Sequence, residues 1–210
     1  MAHNMGFDLE KELVEKIEEG GHEIASHGYS HKRITAQTQE DFENDLLKSI
    51  NILKKITGKK IKGYRAPQFT IVKETLWALD ILKKHGLEYD SSIFPVKTPI
   101  YGIPDAQLYP YIIENDSKKN AKKEFLEIPL SVYKIPFIKK NIPVAGGFYL
   151  RFFPYFFLNH AIKKINKRYA IAGIMVPIII TFFNSRLCPI SISSVSGMSP
   201  VPHKEKIIAP

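Results

Sequence analysis

Apolar residues recur at steps of three and four in several stretches of the chain, which is the spacing of one helix face. This periodicity predicts helices at residues 8–19, 39–57, 73–86 and 152–167. Thr38 and Asp41 have the residue types of a capping box at the start of the second helix, and Gly58 closes it. Short apolar runs between the helices predict strands at residues 22–26, 59–64, 87–89, 125–132 and 178–183.

Helix and strand alternate three times before residue 90, and this rhythm predicts an α/β fold with a parallel sheet or barrel. In both architectures functional residues collect where strands end. His27 and His31 follow the first predicted strand, Arg65 follows the second, and Asp90 follows the third. We therefore expect these side chains to meet at one rim of the sheet.

The two histidines stand four residues apart in a loop that contains Gly28. Neutral imidazole is the commonest nitrogen ligand of metal ions in proteins, so a close pair can present two ligands to one ion. A His pair at this spacing also arises by chance in surfaces and cores. Spacing alone therefore leaves a metal site and a structural pair both open.

Composition is that of a soluble globular chain, with 44% hydrophobic and 24% charged residues among 210. We expect one domain over residues 1–189 and an irregular tail over residues 190–210. The single cysteine, Cys188, has no partner for an internal disulfide. The first residues lack the apolar run of a signal peptide, and the apolar stretch at 169–183 is too short to span a bilayer. The chain as written is thus predicted to be cytoplasmic, with no transmembrane segment.

The net charge of +9 is concentrated in the second part of the chain, where residues 128–210 hold 11 Lys and Arg against one acid. Such asymmetry can indicate contact with nucleic acid or membrane. The basic residues are scattered and form no single stripe. We expect general attraction of anions and no dedicated nucleic-acid site.

Four motifs resemble the polysaccharide deacetylase family with the NodB-homology domain, and most closely its exopolysaccharide-associated subgroup. The motifs are Ser-His-Gly-Tyr-Ser-His (26–31), Gly-Tyr-Arg-Ala-Pro-Gln-Phe (63–69), Tyr-Asp-Ser-Ser-Ile-Phe-Pro (89–95) and Gly-Gly-Phe-Tyr-Leu-Arg-Phe-Phe-Pro (146–154). The resemblance covers about residues 8–167. It implies a distorted (β/α) barrel and a metal-dependent hydrolase that removes acetyl groups from N-acetylated sugars in a glycan substrate.

The same resemblance assigns roles to individual residues. His27 and His31 match the two histidine metal ligands, usually for zinc. Arg65 matches the arginine that pairs with the catalytic aspartate. Pro67, Gln68 and Phe69 match the wall of the substrate groove, where a backbone N–H helps to hold the oxyanion, and Asp90 matches a further polar position near the site.

The chain also departs from the family pattern at both ends. The family's first strand ends in paired aspartates, which supply the third metal ligand and the general base, but only 26 residues precede His27 and no Asp-Asp pair occurs in the chain. The late strand, predicted at residues 178–183, lacks the family's general-acid histidine. We therefore expect an incomplete barrel without its first β/α unit, weak zinc binding, weak or absent activity, and no anionic partner for Arg65 within the chain.

Two other functions stay open at this point. One is a catalytically inactive carbohydrate-binding remnant. The other is a hydrolase of the same superfamily that acts on a cyclic amide or ureide. The sequence does not predict an oligomeric state. The aromatic residue Trp77 and those at 152–157 are expected to lie in the core.

Overall fold

The computed structural model describes residues 2–113, 124–135 and 140–171. They form five α-helices, six short strands and three 3₁₀ turns. The helices are α1 (Ala2–Glu19), α2 (Gln39–Thr57), α3 (Trp77–Lys84), α4 (Gly147–Phe152) and α5 (Tyr155–Ile171). The strands are β1 (Gly63–Tyr64), β2 (Tyr89–Asp90), β3 (Tyr111–Ile112), β4 (Leu126–Glu127), β5 (Val132–Lys134) and β6 (Asn141–Pro143). The 3₁₀ turns are Ile34–Ala36, Pro67–Phe69 and Lys73–Thr75.

Helix α2 begins and ends as the sequence predicts. The Asp41 N–H donates to Thr38 Oγ1 at 3.1 Å, and the Thr38 N–H donates back to the Asp41 carboxylate at 3.3 Å. These two bonds satisfy backbone donors that a helix start otherwise leaves unpaired. Gly58 ends the helix with a left-handed backbone, at φ 67°. The capping box is therefore confirmed.

Helix α1 begins earlier than predicted, at Ala2, so Asp8 lies inside the helix. The prediction followed the apolar stripe, which reports only the face that packs. In α1 that face includes Val14, which is buried against Ile24 and Ile61. The ends of a helix are set by backbone hydrogen bonding, so an apolar stripe does not locate them.

The central sheet has the strand order β1-β2-β4-β3. Strands β1 and β2 pair in parallel, as do β2 and β4, whereas β3 pairs antiparallel with β4. The predicted α/β organisation with parallel neighbours is confirmed for this part of the chain. The strand predicted at residues 22–26 is wrong in extent, because only Ser26 forms a bridge, to Tyr64. Its neighbour β1 begins only at Gly63, which leaves residues 22–25 without a ladder partner.

The strand predicted at residues 125–132 is divided in two. Strand β4 belongs to the central sheet, and β5 forms a separate antiparallel pair with β6. Pro129 lies between them, and a residue without an N–H cannot continue a central ladder. The strand predicted at residues 178–183 and the tail at residues 190–210 lie outside the described residues.

The main core lies between the sheet and helices α2 and α3. Phe42 and Leu46 of α2 and Leu82 of α3 pack there with Tyr64. The Phe42 ring meets the rings of Tyr64 and Trp77 edge-on, each at 5.7 Å between centroids. The core prediction for Trp77 is confirmed, since its side chain packs against this cluster.

The core prediction for the aromatic residues at 152–157 is wrong in part. Phe152, Tyr155 and Phe156 are exposed, whereas Phe153 and Phe157 pack against a smaller cluster. Helix α5 begins just after Pro154, so the helix predicted at residues 152–167 starts later than expected. Because each helical residue is turned by about 100° from the last, only one face of α5 reaches that cluster. None of the described helices combines the length and apolar character needed to cross a membrane.

Candidate metal and active site

His27 lies directly after the Ser26 bridge, at the end of the sheet where β1 runs into Arg65. Its ring Nδ1–H donates to the backbone carbonyl of Arg65 at 2.6 Å. This bond fixes the tautomer and leaves the lone pair on Nε2, the arrangement by which proteins orient metal-binding histidines. Burial lowers the pKa of His27 to about 4, so the imidazole is neutral and able to bind a cation at neutral pH.

His31 lies beside His27, with 5.0 Å between the ring centroids and 63° between the ring planes. Two imidazoles bound to one tetrahedral ion at Zn–N distances of about 2.0–2.1 Å place their ring centres about 5 Å apart. Burial lowers the pKa of His31 as well, which favours its neutral form. The donor type and the spacing therefore fit two positions in the coordination sphere of zinc.

The loop that carries both histidines is held by Asp45 on helix α2. The Asp45 carboxylate accepts the Tyr29 N–H at 2.8 Å and the Ser30 N–H at 2.9 Å. Gly28 has a φ of 78°, and a Cβ there would lie 2.9 Å from Asp45 Oδ2. Only glycine therefore allows the loop to approach this carboxylate. Sequence reasoning missed Asp45, because a single acid in an amphipathic helix looks like an ordinary surface residue.

Arg65 connects the histidine loop to the segment after β2. Its Nε–H donates to the Ser91 carbonyl at 2.9 Å, and Nη2 donates to Ser91 Oγ at 2.7 Å. Burial lowers the pKa of Arg65, and the negative charge of Asp90 opposes that shift. The expectation that Arg65 has no anionic partner in the chain is therefore wrong. That partner is Asp90 in β2, which the linear sequence does not place beside Arg65.

Asp90 lies beneath the rim and is fully buried. One carboxylate oxygen accepts the Ser92 hydroxyl at 2.7 Å, and the other accepts the Ser92 N–H at 3.1 Å. Burial raises the pKa of Asp90 to about 6. Its expected contact with substrate stays a prediction, although burial favours a supporting role.

Glu127 is a second fully buried carboxyl, which sequence reasoning also missed. Its Oε1 accepts the Ile93 N–H at 3.1 Å. Burial and the charge of Asp90 raise the pKa of Glu127 well above its usual value. The signal in the sequence was an isolated acid between Leu126 and Ile128, which is equally typical of a strand with one solvated face.

The segment Pro67–Phe69 forms the adjacent wall of the site. Thr70 Oγ1 donates to the Pro67 carbonyl at 2.7 Å and accepts the Ile34 N–H at 3.0 Å, which fixes this turn. Gln68 and Phe69 have positive φ angles of 53° and 55°. A Cβ at Gly28 would lie 3.9 Å from Pro67 Cγ, so the wall adjoins the histidine loop.

Backbone strain is concentrated at this site. Across the described ranges, the non-glycine residues with positive φ are His31, Gln68 and Phe69. Such conformations cost about 1–3 kcal/mol each and cluster where function depends on geometry. The structure thus brings together His27, His31, Arg65 and the wall, with Asp90 below them. Within the described residues, no three or more His, Cys, Asp or Glu side chains are grouped so that they could hold a metal ion.

Comparison with known proteins divides the chain into two matched regions. Residues 2–89 match the family described as polysaccharide deacetylase, and residues 91–175 match a domain of unknown function (DUF3473). The first region contains His27, His31, Arg65 and the wall. Asp90 lies between the two matched regions, and Glu127 lies in the second.

Two relatives in sequence carry names that state a reaction. A peptidoglycan deacetylase of Helicobacter pylori is 40% identical over 82 residues, which is 39% of this chain and 27% of that protein. A peptidoglycan-N-acetylglucosamine deacetylase of Bacillus cereus is 30% identical over 79 residues, which is 36% of this chain and 29% of that protein. The matches thus span less than a third of each relative.

Among solved structures, a putative polysaccharide deacetylase from Mycobacterium smegmatis is 24% identical and gives a TM-score of 0.44. The match covers 60% of this chain and 40% of that one.

Proposed function

We propose that this chain carries the site of a metal-dependent hydrolase, because residues 2–89 match the family described as polysaccharide deacetylase. The substrate class is an amino-sugar polysaccharide or related glycan, from which N-acetyl groups are removed. We place the site at the rim of a distorted (β/α) barrel of the deacetylase type. The names of the Helicobacter pylori and Bacillus cereus relatives support an N-acetylated glycan as the substrate.

The single observation that carries the proposal is the arrangement of the two imidazoles. His27 and His31 stand 5.0 Å apart, and the Nδ1–H bond to Arg65 turns the Nε2 lone pair of His27 away from that carbonyl. Two neutral imidazoles at this spacing suit two ligands of one ion. The pair would hold a divalent cation, with zinc favoured by nitrogen ligands.

Each remaining group has a role that follows from its position. A bound cation supplies Lewis acidity, which polarises an amide carbonyl and makes water easier to deprotonate. The Pro67–Phe69 wall confines the substrate beside the histidines, and a backbone N–H of this turn stabilises negative charge on the acetamide oxygen. Arg65 carries positive charge at the same rim and fixes His27 through its carbonyl.

Two neutral imidazoles without a carboxylate bind zinc weakly, because catalytic zinc sites normally have three protein ligands. In the described part of the chain no third such ligand accompanies the pair. We therefore predict weak zinc affinity and slow or undetectable deacetylation for this chain alone. A catalytically silent glycan-binding protein is the second candidate, and the same observation favours it.

The test is acetate release from an N-acetylglucosamine polymer, measured together with zinc content by mass spectrometry. The double variant His27→Gln/His31→Gln is the matched control, since glutamine keeps polar side chains of similar size. Zinc binding and acetate release that both depend on the histidines would support the hydrolase. Glycan binding that survives chelation, without acetate release in either protein, would support the silent binding protein.

A further inference from the structure

Glu127 and Asp90 form a buried pair that the proposed chemistry does not use. They are register partners on the parallel strands β2 and β4, so their side chains lie on the same face of the sheet. Both residues are fully buried. Two adjacent carboxylates cannot both keep a full negative charge in a buried site without a large repulsive cost.

Hydrogen bonds indicate which member of the pair is ionised. Both oxygens of Asp90 accept bonds from Ser92, as a carboxylate does. Glu127 accepts one bond, from Ile93, and its Oε2 is buried with no hydrogen-bond donor among the described residues. If Glu127 is protonated, Oε2 no longer carries an unpartnered charge. The acid can then donate a hydrogen bond to Asp90.

The charges around the pair agree with one shared proton. Arg65 faces it from the end of β1 and carries one positive charge, while the phenols of Tyr64, Tyr89 and Tyr111 are neutral. One proton on the pair makes the cluster of two carboxyls and one guanidinium neutral. A neutral cluster is the least costly arrangement in a buried site.

The pair is linked to the candidate metal site by a continuous chain of hydrogen bonds. Ser92 Oγ donates to Asp90 and accepts the Ala66 N–H at 2.7 Å. Glu127 fixes the same segment through the N–H of Ile93. Ala66 follows Arg65, whose carbonyl accepts the His27 Nδ1–H.

We propose that Glu127 is a positioning residue, which shares one proton with Asp90 and so holds the Ser92–Ala66 link that orients His27. The inference deepens the proposed function, because the oriented ring is one of the two proposed metal ligands. Glu127 itself touches neither metal nor substrate.

The test compares Glu127→Gln with Glu127→Ala in the full chain. Glutamine mimics the protonated acid, since its amide can donate to Asp90 and its carbonyl can accept from Ile93. Two readouts are used: zinc affinity by calorimetry, and the His27 Nδ1–H resonance in ¹⁵N NMR of metal-free protein. We expect Glu127→Gln to keep the His27 resonance and to change zinc affinity by less than about twofold. We expect Glu127→Ala to lose the resonance and about tenfold or more in affinity, as supporting residues of metal ligands do.

The dependence of stability on pH gives a third readout. The folded chain keeps a proton on Glu127 that the unfolded chain releases above the ordinary glutamate pKa of about 4.3. Wild-type stability should therefore fall, relative to that of Glu127→Gln, as pH rises above this value. If Glu127→Ala does not fold, Ser92→Ala replaces it, because it cuts the link to Ala66 and keeps both acid side chains, at the loss of the one hydroxyl bond to Asp90.

Several results would overturn the proposal. One is an equal loss of zinc affinity and of the His27 resonance in Glu127→Gln and Glu127→Ala, which would mean that Glu127 works as an ionised carboxylate. Another is an unchanged His27 resonance in both Glu127→Ala and Ser92→Ala. Zinc binding that is absent from every variant, with the resonance pattern as expected, would remove the metal function and leave the positioning role supported.

Discussion

Replacing Asp45 by alanine tests whether helix α2 holds the loop that presents the two histidines. The Asp45 carboxylate accepts the N–H groups of Tyr29 and Ser30 at 2.8 and 2.9 Å. A hydrogen bond to a charged group contributes about 1.5–3 kcal/mol and a typical one about 0.5–1.5 kcal/mol, and exposure to water favours the lower end of this range. Tyr29 and Ser30 are exposed, so we expect a total loss of about 1–2 kcal/mol.

The assay measures both the melting temperature and the zinc affinity of each variant. In a chain of 150–250 residues, each kcal/mol lowers the melting temperature by about 2–4 °C, so Asp45→Ala should melt about 2–8 °C lower. Zinc affinity should fall by about tenfold, because the loop no longer fixes the spacing of the histidines. Asp45→Asn should lower the melting temperature and weaken zinc binding about half as much, since its amide keeps one acceptor oxygen.

Glu40→Ala is the matched control, because Glu40 is an exposed acid in the first turn of the same helix. It removes the same charge, costs about 0.3–1 kcal/mol through the helix dipole, and leaves the loop contacts intact. The reasoning is refuted if Asp45→Ala matches Glu40→Ala in both melting temperature and zinc affinity.

Two further predictions concern stability. Gly63→Ala should lower the free energy of unfolding by about 1–3 kcal/mol in urea titrations, because a Cβ there would clash with the Tyr89 ring. His27 should make metal-free protein lose stability as pH falls from about 6.5 to about 4, by up to about 1.4 kcal/mol per pH unit. The unfolded chain takes up a proton in this window, whereas the partly buried imidazole of the folded chain resists protonation.

Each of these predictions has its own control. Gly147→Ala adds a methyl group at a helical position with open space, so it should be neutral or slightly stabilising. Equal destabilisation by the two glycine substitutions would contradict the close contact with Tyr89. His27→Gln should remove the loss of stability that wild type shows as pH falls. If stability depends on pH in the same way in wild type and variant, burial of this ring does not contribute.

The sequence predicted the parts of this structure that depend on local patterns. The capping box of Thr38 and Asp41 follows from residue types three positions apart, and both bonds form. The meeting of His27 and Arg65 followed from helix–strand alternation, since parallel strands end at a common edge. Their roles in metal binding and catalysis stay predictions.

The missed features depend on contacts between distant segments. Glu127 sits between apolar neighbours, and only its pairing with β2 shows that its side chain faces Asp90. Asp45 lies on a helix, and its partners are backbone groups of another segment. The left-handed backbone at Gln68 was equally hidden, because no glycine marks it.

The most direct test of the account is anomalous diffraction at the zinc edge from crystals grown with zinc. The account predicts one ion about 2.0–2.1 Å from Nε2 of His27 and from a ring nitrogen of His31. It also predicts that the His27 Nδ1–H bond to the Arg65 carbonyl persists. Zinc bound through Nδ1 of His27, or bound only at sites remote from both histidines, would contradict it.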